Sequence, residues 1–289
     1  MSETVVADFI GQFLAPGVEG EPPRGRIILS QRRLVLAADD YKETIPLSQV
    51  FDVKVGQVPQ EMAGYFNDTV TVAYKTGDSR AVAAIEGNDT NIDRFATVLF
   101  KVLLNGTKAL TRHPAKIGGR VVDSETNPAR LDVTQGHLTF ERSDGDSFTV
   151  DLGNVVAVER AQRDIGNGTH PVISFRHIED GTAVTSQVGM NSGRLTNILG
   201  RYIRLRYADV QEELEDIDPS EDELEVLVAA YSAGPGVSLA KVVDIEPQRL
   251  TMLLNGLIDE GLLVDTDEGT NLTAKGRVVV GQRIESVNT

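Results

Sequence analysis

The chain repeats itself. Leu29-Ser30-Gln31-Arg32-Arg33-Leu34-Val35-Leu36 aligns with Val133-Thr134-Gln135-Gly136-His137-Leu138-Thr139-Phe140 at an offset of 104 residues. Ile45-Pro46-Leu47-Ser48-Gln49-Val50-Phe51-Asp52-Val53 aligns with Val150-Asp151-Leu152-Gly153-Asn154-Val155-Val156-Ala157-Val158 at an offset of 105, so one extra turn residue separates the two blocks. The pairing continues with Val70-Thr71-Val72 against Val172-Ile173-Ser174 and Ala81-Val82 against Ala183-Val184. Ile10-Gly11-Gln12-Phe13-Leu14 is set against Gly118-Gly119-Arg120-Val121-Val122. A repeat of this period means one structural unit used twice, so any fold assigned to the first copy must also suit the second.

Within each copy the apolar runs are short and rich in Val, Ile, Leu and Thr. Turn signals interrupt them: Ala38-Asp39-Asp40, Thr76-Gly77-Asp78, Asp144-Gly145-Asp146 and Glu179-Asp180-Gly181. Short strands at this spacing predict an antiparallel barrel or sandwich. Each copy closes on a helix. Ile92, Phe95, Ala96, Leu99, Val102 and Leu103 recur at helical spacing after Asn88 or Asp89 as N-cap, and Leu195, Ile198, Leu199, Tyr202, Ile203 and Leu205 do so after Asn191 or Ser192. Roughly seven strands and one helix in ~100 residues resemble the pleckstrin-homology fold, in which the helix plugs one end of the sandwich.

A different pattern follows an acidic bridge. Ser220-Glu221-Asp222-Glu223 reads as a capping box, opening a helix that carries Leu224, Leu227, Val228 and Tyr231 and stops at Gly234-Pro235-Gly236. Ser238 opens a short second helix, and Pro247 the first position of a third with Leu250, Leu253, Leu254, Leu257 and Ile258 inward. Leu262-Leu263-Val264, a turn at Asp265–Gly269 and Asn271-Leu272-Thr273 form a two-stranded wing before a last helix. This order resembles a winged helix-turn-helix. The expected fold is therefore α+β: pleckstrin-homology-like β-barrel/sandwich domains over residues 1–110 and 111–212, then the acidic bridge and winged helix over 213–289. Residues 1–210 are expected to fold without the rest.

Composition then narrows the function. Acids outnumber bases 43 to 28, for a net charge of −15, and Lys is scarce. Such a chain repels polyanions as a whole. It has no Cys, so disulfides and thiolate metal sites are excluded. No basic leader or apolar run of membrane-spanning length is evident, which makes a cytoplasmic location the expectation. The four His (His113, His137, His170, His177) share no ligand spacing and read as surface or strand-edge residues. No phosphate loop, dinucleotide fingerprint or nucleophile elbow occurs, and Ser238-Leu239-Ala240-Lys241 lacks the partner motifs of acyl-serine enzymes. No enzyme, cofactor or metal is expected.

Two basic groups stand out against the acidic background. Arg24, Arg26, Arg32 and Arg33 fall on or beside one predicted hairpin, and Arg201, Arg204 and Arg206 on the second closing helix. Charge runs of this kind are usually solvated faces. Read functionally, they are candidate contacts for an acidic protein partner. Lipid headgroup binding is the weaker alternative, since Glu19 and Glu21 flank the first group and the second copy offers Glu125.

The segments Val6–Leu14 (VADFIGQFL) and Gly25–Val53 (GRIILSQRRLVLAADDYKETIPLSQVFDV) resemble the N-terminal part of the archaeal taxis protein CheF family, and the acidic, Lys-poor composition points to a halophilic member. The resemblance implies a non-enzymatic adaptor in chemotaxis or phototaxis. Its partners would be the phosphorylated response regulator CheY, CheC and CheD on one side and the archaellum motor switch proteins on the other.

A transcriptional role for the winged helix is the competing reading, and charge opposes it. Residues 219–289 carry 12 acids and 5 bases, a net of −7. Carboxylates at the wing tip would face phosphates. No specific DNA binding is expected, and the check is a gel-shift screen of genomic fragments. A salt-sensitive shift of one fragment at sub-micromolar protein would overturn the expectation.

Overall fold

The computed structural model describes residues 3–287, apart from the short segments 59–61, 63, 67–68, 135, 165–167, 180–181, 213, 215–216, 234–238 and 267–268. The first repeat comprises β1 (Val5–Leu14), β2 (Arg24–Ser30), β3 (Arg33–Ala38), β4 (Tyr41–Pro46), β5 (Val50–Val55), β6 (Val70–Thr76), β7 (Ser79–Glu86) and α1 (Asp89–Leu104). The second comprises β8 (Lys108–Ile117), β9 (Arg120–Val121), β10 (Asn127–Thr134), β11 (His137–Arg142), β12 (Ser147–Asp151), β13 (Val155–Asp164), β14 (Thr169–Glu179), β15 (Thr182–Met190) and α2 (Gly193–Glu212). The C-terminal module holds α3 (Glu221–Ala233), α4 (Pro247–Asp259), β16 (Leu263–Thr266), β17 (Gly269–Leu272) and α5 (Ala274–Val287).

The repeat read from sequence is a repeat of topology. Strand order is β4-β3-β2-β1-β7-β6-β5 in the first sheet and β12-β11-β10-β8-β15-β14-β13 in the second, identical once the short β9 beside β8 is set aside. One expected pairing fails. The counterpart of β1 is β8, whereas Gly118–Val122 is the turn and short strand after it. Gly118 and Gly119 both adopt positive φ there (55° and 81°), a conformation that suits a hairpin turn and not a strand.

The first sheet bends along its first strand. β1 pairs with β2 from Val5 to Gln12 but with β7 only from Gln12 to Leu14, so the two halves of the sheet meet at a corner. Gly11 and Gly25 oppose each other at that corner. A Cβ on Gly11 would collide with the Glu86 carbonyl, and one on Gly25 with the Ala37 carbonyl. The bend therefore requires both glycines.

Neither sheet closes into a barrel; β4 and β5 are the free edges of the first, and β12 and β13 of the second. At the β5 edge, carbonyls of the strand and of the turn before it are engaged by side chains of α2 and not by another strand: Arg194 donates to Val50 O (2.5 Å) and to Leu47 O of that turn (3.3 Å), and Asn197 to Phe51 O (3.4 Å). The expected seal of each sandwich by its own helix is thus incomplete. Each helix also serves the other repeat: α1 lies against β10, α2 lies against β5, and the two helices touch through the Phe100 and Tyr202 rings, 5.2 Å apart. Buried residues from Phe13 to Ile203 consequently form one continuous apolar core across both repeats.

The helix starts follow local capping rules. Asn88 accepts from Asn91 N (2.9 Å), Ser192 from Leu195 N (3.3 Å), and Ser220 and Glu223 form a reciprocal capping box. The C-terminal module has its own core of Leu227, Leu250, Leu257, Leu262 and Val280 among others. Its expected second helix is a single 3-10 turn at Leu239–Lys241. The helix stop expected at Gly234–Gly236, the helix start expected at Ser238 and the wing-tip residues Asp267–Glu268 lie outside the described residues.

The Tyr202 hydroxyl is buried without a hydrogen-bond partner among the described residues, inside the contact between the two repeats. An unsatisfied buried polar atom costs about 1–3 kcal/mol. Tyr202→Phe keeps the ring contact and removes that atom, so chemical denaturation should show the variant about 1 kcal/mol more stable than the parent. A variant less stable than the parent would mean that the hydroxyl is satisfied.

Candidate functional site

The first candidate is the outer face of β1–β4. Strand alternation puts Arg24, Arg26 and Ile28 outward on β2, with Ile27 and Leu29 in the core. Register then builds rows across the sheet: Gln12 beside Arg24; Ile10, Arg26, Ala37 and Lys42; Asp8, Ile28, Val35 and Thr44. Ile10, 53% exposed, and the half-buried Ile28 and Val35 form an apolar strip across these rows, bordered by Arg26, Asp8, Lys42 and Thr44.

The four predicted arginines do not form one cluster. Six residues of extended strand separate Arg24 from Ser30, about 20 Å, so Arg24 and Arg26 stand at one end of the hairpin and Arg32 and Arg33 at its turn. Two of them are engaged locally. Arg26 makes a two-pronged contact with Asp8 (2.8 and 2.5 Å), and Arg33 pairs with Glu3 (2.6 Å). These bonds hold the Asp8 carboxyl below its usual range, and a hydrogen bond from Ser30, followed by Arg33, does the same for Glu3. Arg24 and Arg32 have no side-chain ion pair among the described residues and are exposed.

The second basic group lies at the junction of the repeats. Arg201 grips Asp52 of the first repeat with two hydrogen bonds (3.0 and 3.1 Å), and Asn197 adds a third to the same carboxylate (3.1 Å). Arg206 donates to Thr97 on α1 (2.7 Å) and lies over the Tyr202 ring. Arg204 alone of this group is exposed.

Sequence reading missed a buried polar cluster in the second repeat. His113 on β8, His177 and Glu179 on β14, and Ser186 on β15 converge although their strands are far apart in sequence. The Ser186 hydroxyl lies 2.8 Å from His113 Nδ1 and 3.0 Å from His177 Nε2. His113 stacks on Phe148 with ring centroids 3.9 Å apart, and its Nε2 lies 3.8 Å from a Glu179 oxygen. The reading of His177 as a surface or strand-edge residue is corrected, since it is only 2% exposed. A sequence signal existed: His177 and Glu179 are two apart on a strand and so share a face. Ser, His and carboxylate in line resemble a hydrolytic triad, but Ser186 is fully buried and no substrate can reach its hydroxyl. Among the described residues, His113, His177 and Glu179 form the group of potential metal ligands, with their ligand atoms all within 4.8 Å of one another.

On the C-terminal module, the outward side of α4 carries Met252, 70% exposed, with Gln248 and Asn255. Arg249, the base best placed to meet phosphate, is paired with Asp222 of α3. A cleft of about 320 Å³ between this module and the second repeat is lined by Arg176, Tyr207, Tyr231 and Arg277 among apolar side chains.

With this geometry in place, comparison with known proteins places the chain in the class of archaeal taxis signalling proteins. Residues 5–209, which span both repeats, match the family model of the archaeal chemotaxis signal transduction system protein F. The chain belongs to that family. It is 44% identical over its full length, and over the full length of the relative, to the taxis protein CheF2 of Halobacterium salinarum. It is 26% identical to CheF1 of the same organism, over 96% of this chain and 95% of that one. No described helix is long and apolar enough to cross a membrane.

The histidine cluster makes stability depend on pH. Both rings are pushed down to about 4, chiefly because burial penalises the charged form; Arg142 adds to this for His113, and His113 itself for His177. The unfolded chain then binds protons near pH 6.5 that the native state refuses until about pH 4. Stability contributed by the neutral rings is present above pH 6.5 and declines as pH falls toward 4, by about 1.4 kcal/mol per pH unit for each ring. Denaturation of the protein with EDTA present should show this loss between pH 6.5 and 4.5, and His177→Gln should flatten it. A wild-type slope unchanged in that variant would remove His177 from the account.

Proposed function

We propose that the chain is a non-enzymatic cytoplasmic adaptor that receives the signal of phosphorylated CheY, together with CheC and CheD, and passes it to the archaellum switch proteins. Two pleckstrin-homology-like domains over residues 1–110 and 111–212 and a winged helix over 213–289 would act as its binding platforms. The observation that carries this reading is the outer face of β1–β4, where an apolar centre of Ile10, Ile28 and Val35 lies between arginines at both ends in a chain of net charge −15. A face about 20 Å long suits a protein better than a small anion, because a specific protein interface covers about 800 Å² on each partner.

Receiver domains gather carboxylates at their phosphorylation site, and a phosphoryl group adds about −1.5 to −2 charge. High cytoplasmic salt screens long-range attraction, so close contacts must supply the affinity. Arg24 and Arg32 are the best candidates for those contacts, since Arg26 and Arg33 already serve Asp8 and Glu3. In the second group Arg204 is the exposed member and the counterpart candidate.

Replacing Arg24 and Arg32 together by Ala should weaken binding of phosphorylated CheY several-fold, measured by calorimetry in high salt. The melting temperature should stay nearly unchanged, because neither side chain supports a native ion pair. Unaltered affinity for phosphorylated CheY, CheC, CheD and the switch proteins would remove this face from the reading.

A further inference from the structure

We infer that His113, His177 and Glu179 form a binding site for a divalent first-row metal ion, zinc(II) by preference, that ties β8 to the β14–β15 hairpin of the second repeat.

The donor set suits the ion. Two imidazoles and one carboxylate are borderline ligands of the type zinc takes when no thiolate is present, and this chain has no Cys. The span suits it too. Tetrahedral coordination at about 2.1 Å holds ligand atoms about 3.4 Å apart. His113 Nε2 and the Glu179 oxygen are 3.8 Å apart, and all three ligand atoms lie within 4.8 Å, so closure needs shifts of about an ångström.

The hydrogen-bond chain points the same way. Ser186 has one proton to give, so it donates to one ring and accepts from the other. Where His113 Nδ1–H is the donor to Ser186, His113 Nε2 is a bare lone pair facing a carboxylate. In the opposite tautomer Nε2–H faces that oxygen at 3.8 Å, too far for a hydrogen bond. A cation there meets the first tautomer directly, and it requires His177 to turn a bare nitrogen to it as well, which Ser186 allows by accepting from both rings on its two lone pairs while its own proton turns away. Ser186 would then act as the outer partner that fixes ring orientation, as such groups commonly do at histidine metal sites.

Access exists on one side. The Glu179 side chain is 42% exposed and that of His113 12%, so an ion can enter beside the carboxylate, and the remaining coordination position faces solvent and takes water.

The test is titration of metal-stripped full-length protein with zinc(II) by calorimetry in chelator-treated KCl buffer, with cobalt(II) absorption as a probe of coordination. We expect one ion per chain at micromolar affinity or tighter, a cobalt spectrum of low-coordinate type, and a rise in melting temperature on zinc addition. Glu179→Gln, a change on the exposed side of the site, should weaken binding at least about tenfold while leaving the metal-free melting temperature unchanged. His113→Gln should do the same for binding even if it lowers stability. Absence of stoichiometric binding to the parent, or binding untouched by Glu179→Gln, would overturn the inference.

Discussion

The architecture depends on what α2 does to the first repeat. A bent antiparallel sheet of seven strands has two free edges, and the outward carbonyls of β5 would be left without partners if the helix after each repeat served only its own sheet. Arg194, Asn197 and Arg201 reach back across the junction and take up Leu47 O, Val50 O, Phe51 O and the Asp52 carboxylate. Phe100 and Tyr202 fill the space between the two closing helices. Buried carbonyls need partners as much as buried side chains need contacts, and both needs are met by the same helix. The two repeats therefore share one packed core.

A packing contact at the equivalent place recurs one step along the chain. The segment equivalent to Leu47–Asp52 in the second repeat is Leu152–Ala157, and α5 of the C-terminal module lies against it, with Val156 joining that module's core. Each repeat leaves one patch that the next element covers. The C-terminal module, with a net charge of −7 and Arg249 tied to Asp222, thus packs as a cap on the second repeat.

The paired use of one topology leaves the copies free to differ where the fold does not need them alike. The outer face of β1–β4 carries Ile10, Ile28 and Val35 among Arg24, Arg26, Asp8 and Lys42, whereas the matching face of the second repeat carries Arg130, Asp132, Thr139, Glu141 and Thr149, with Leu110 and Pro128 at its β8 end. The second copy instead places its unusual chemistry inside, at His113, His177 and Ser186. One unit thus differs in its exposed face, and the other in a polar cluster buried in its core.

Much of this was legible in the sequence by itself. The repeat offset, the seven-strand count, both closing helices and the capping box are written in local spacing, because hydrophobic periodicity and turn chemistry act over a few residues. The family resemblance was legible in two segments as well. Other features required the tertiary structure. That Arg201 and Arg206 bind the first repeat, while Arg24 and Arg32 remain exposed, follows from which helix crosses to which strand, and no spacing records it. That the Ile10–Leu14 counterpart lies before Gly118 follows from where the turn bends. His113 and His177 meet because β8, β15 and β14 are neighbours in a sheet whose order differs from chain order, and only that order brings residues 64 apart to one hydroxyl.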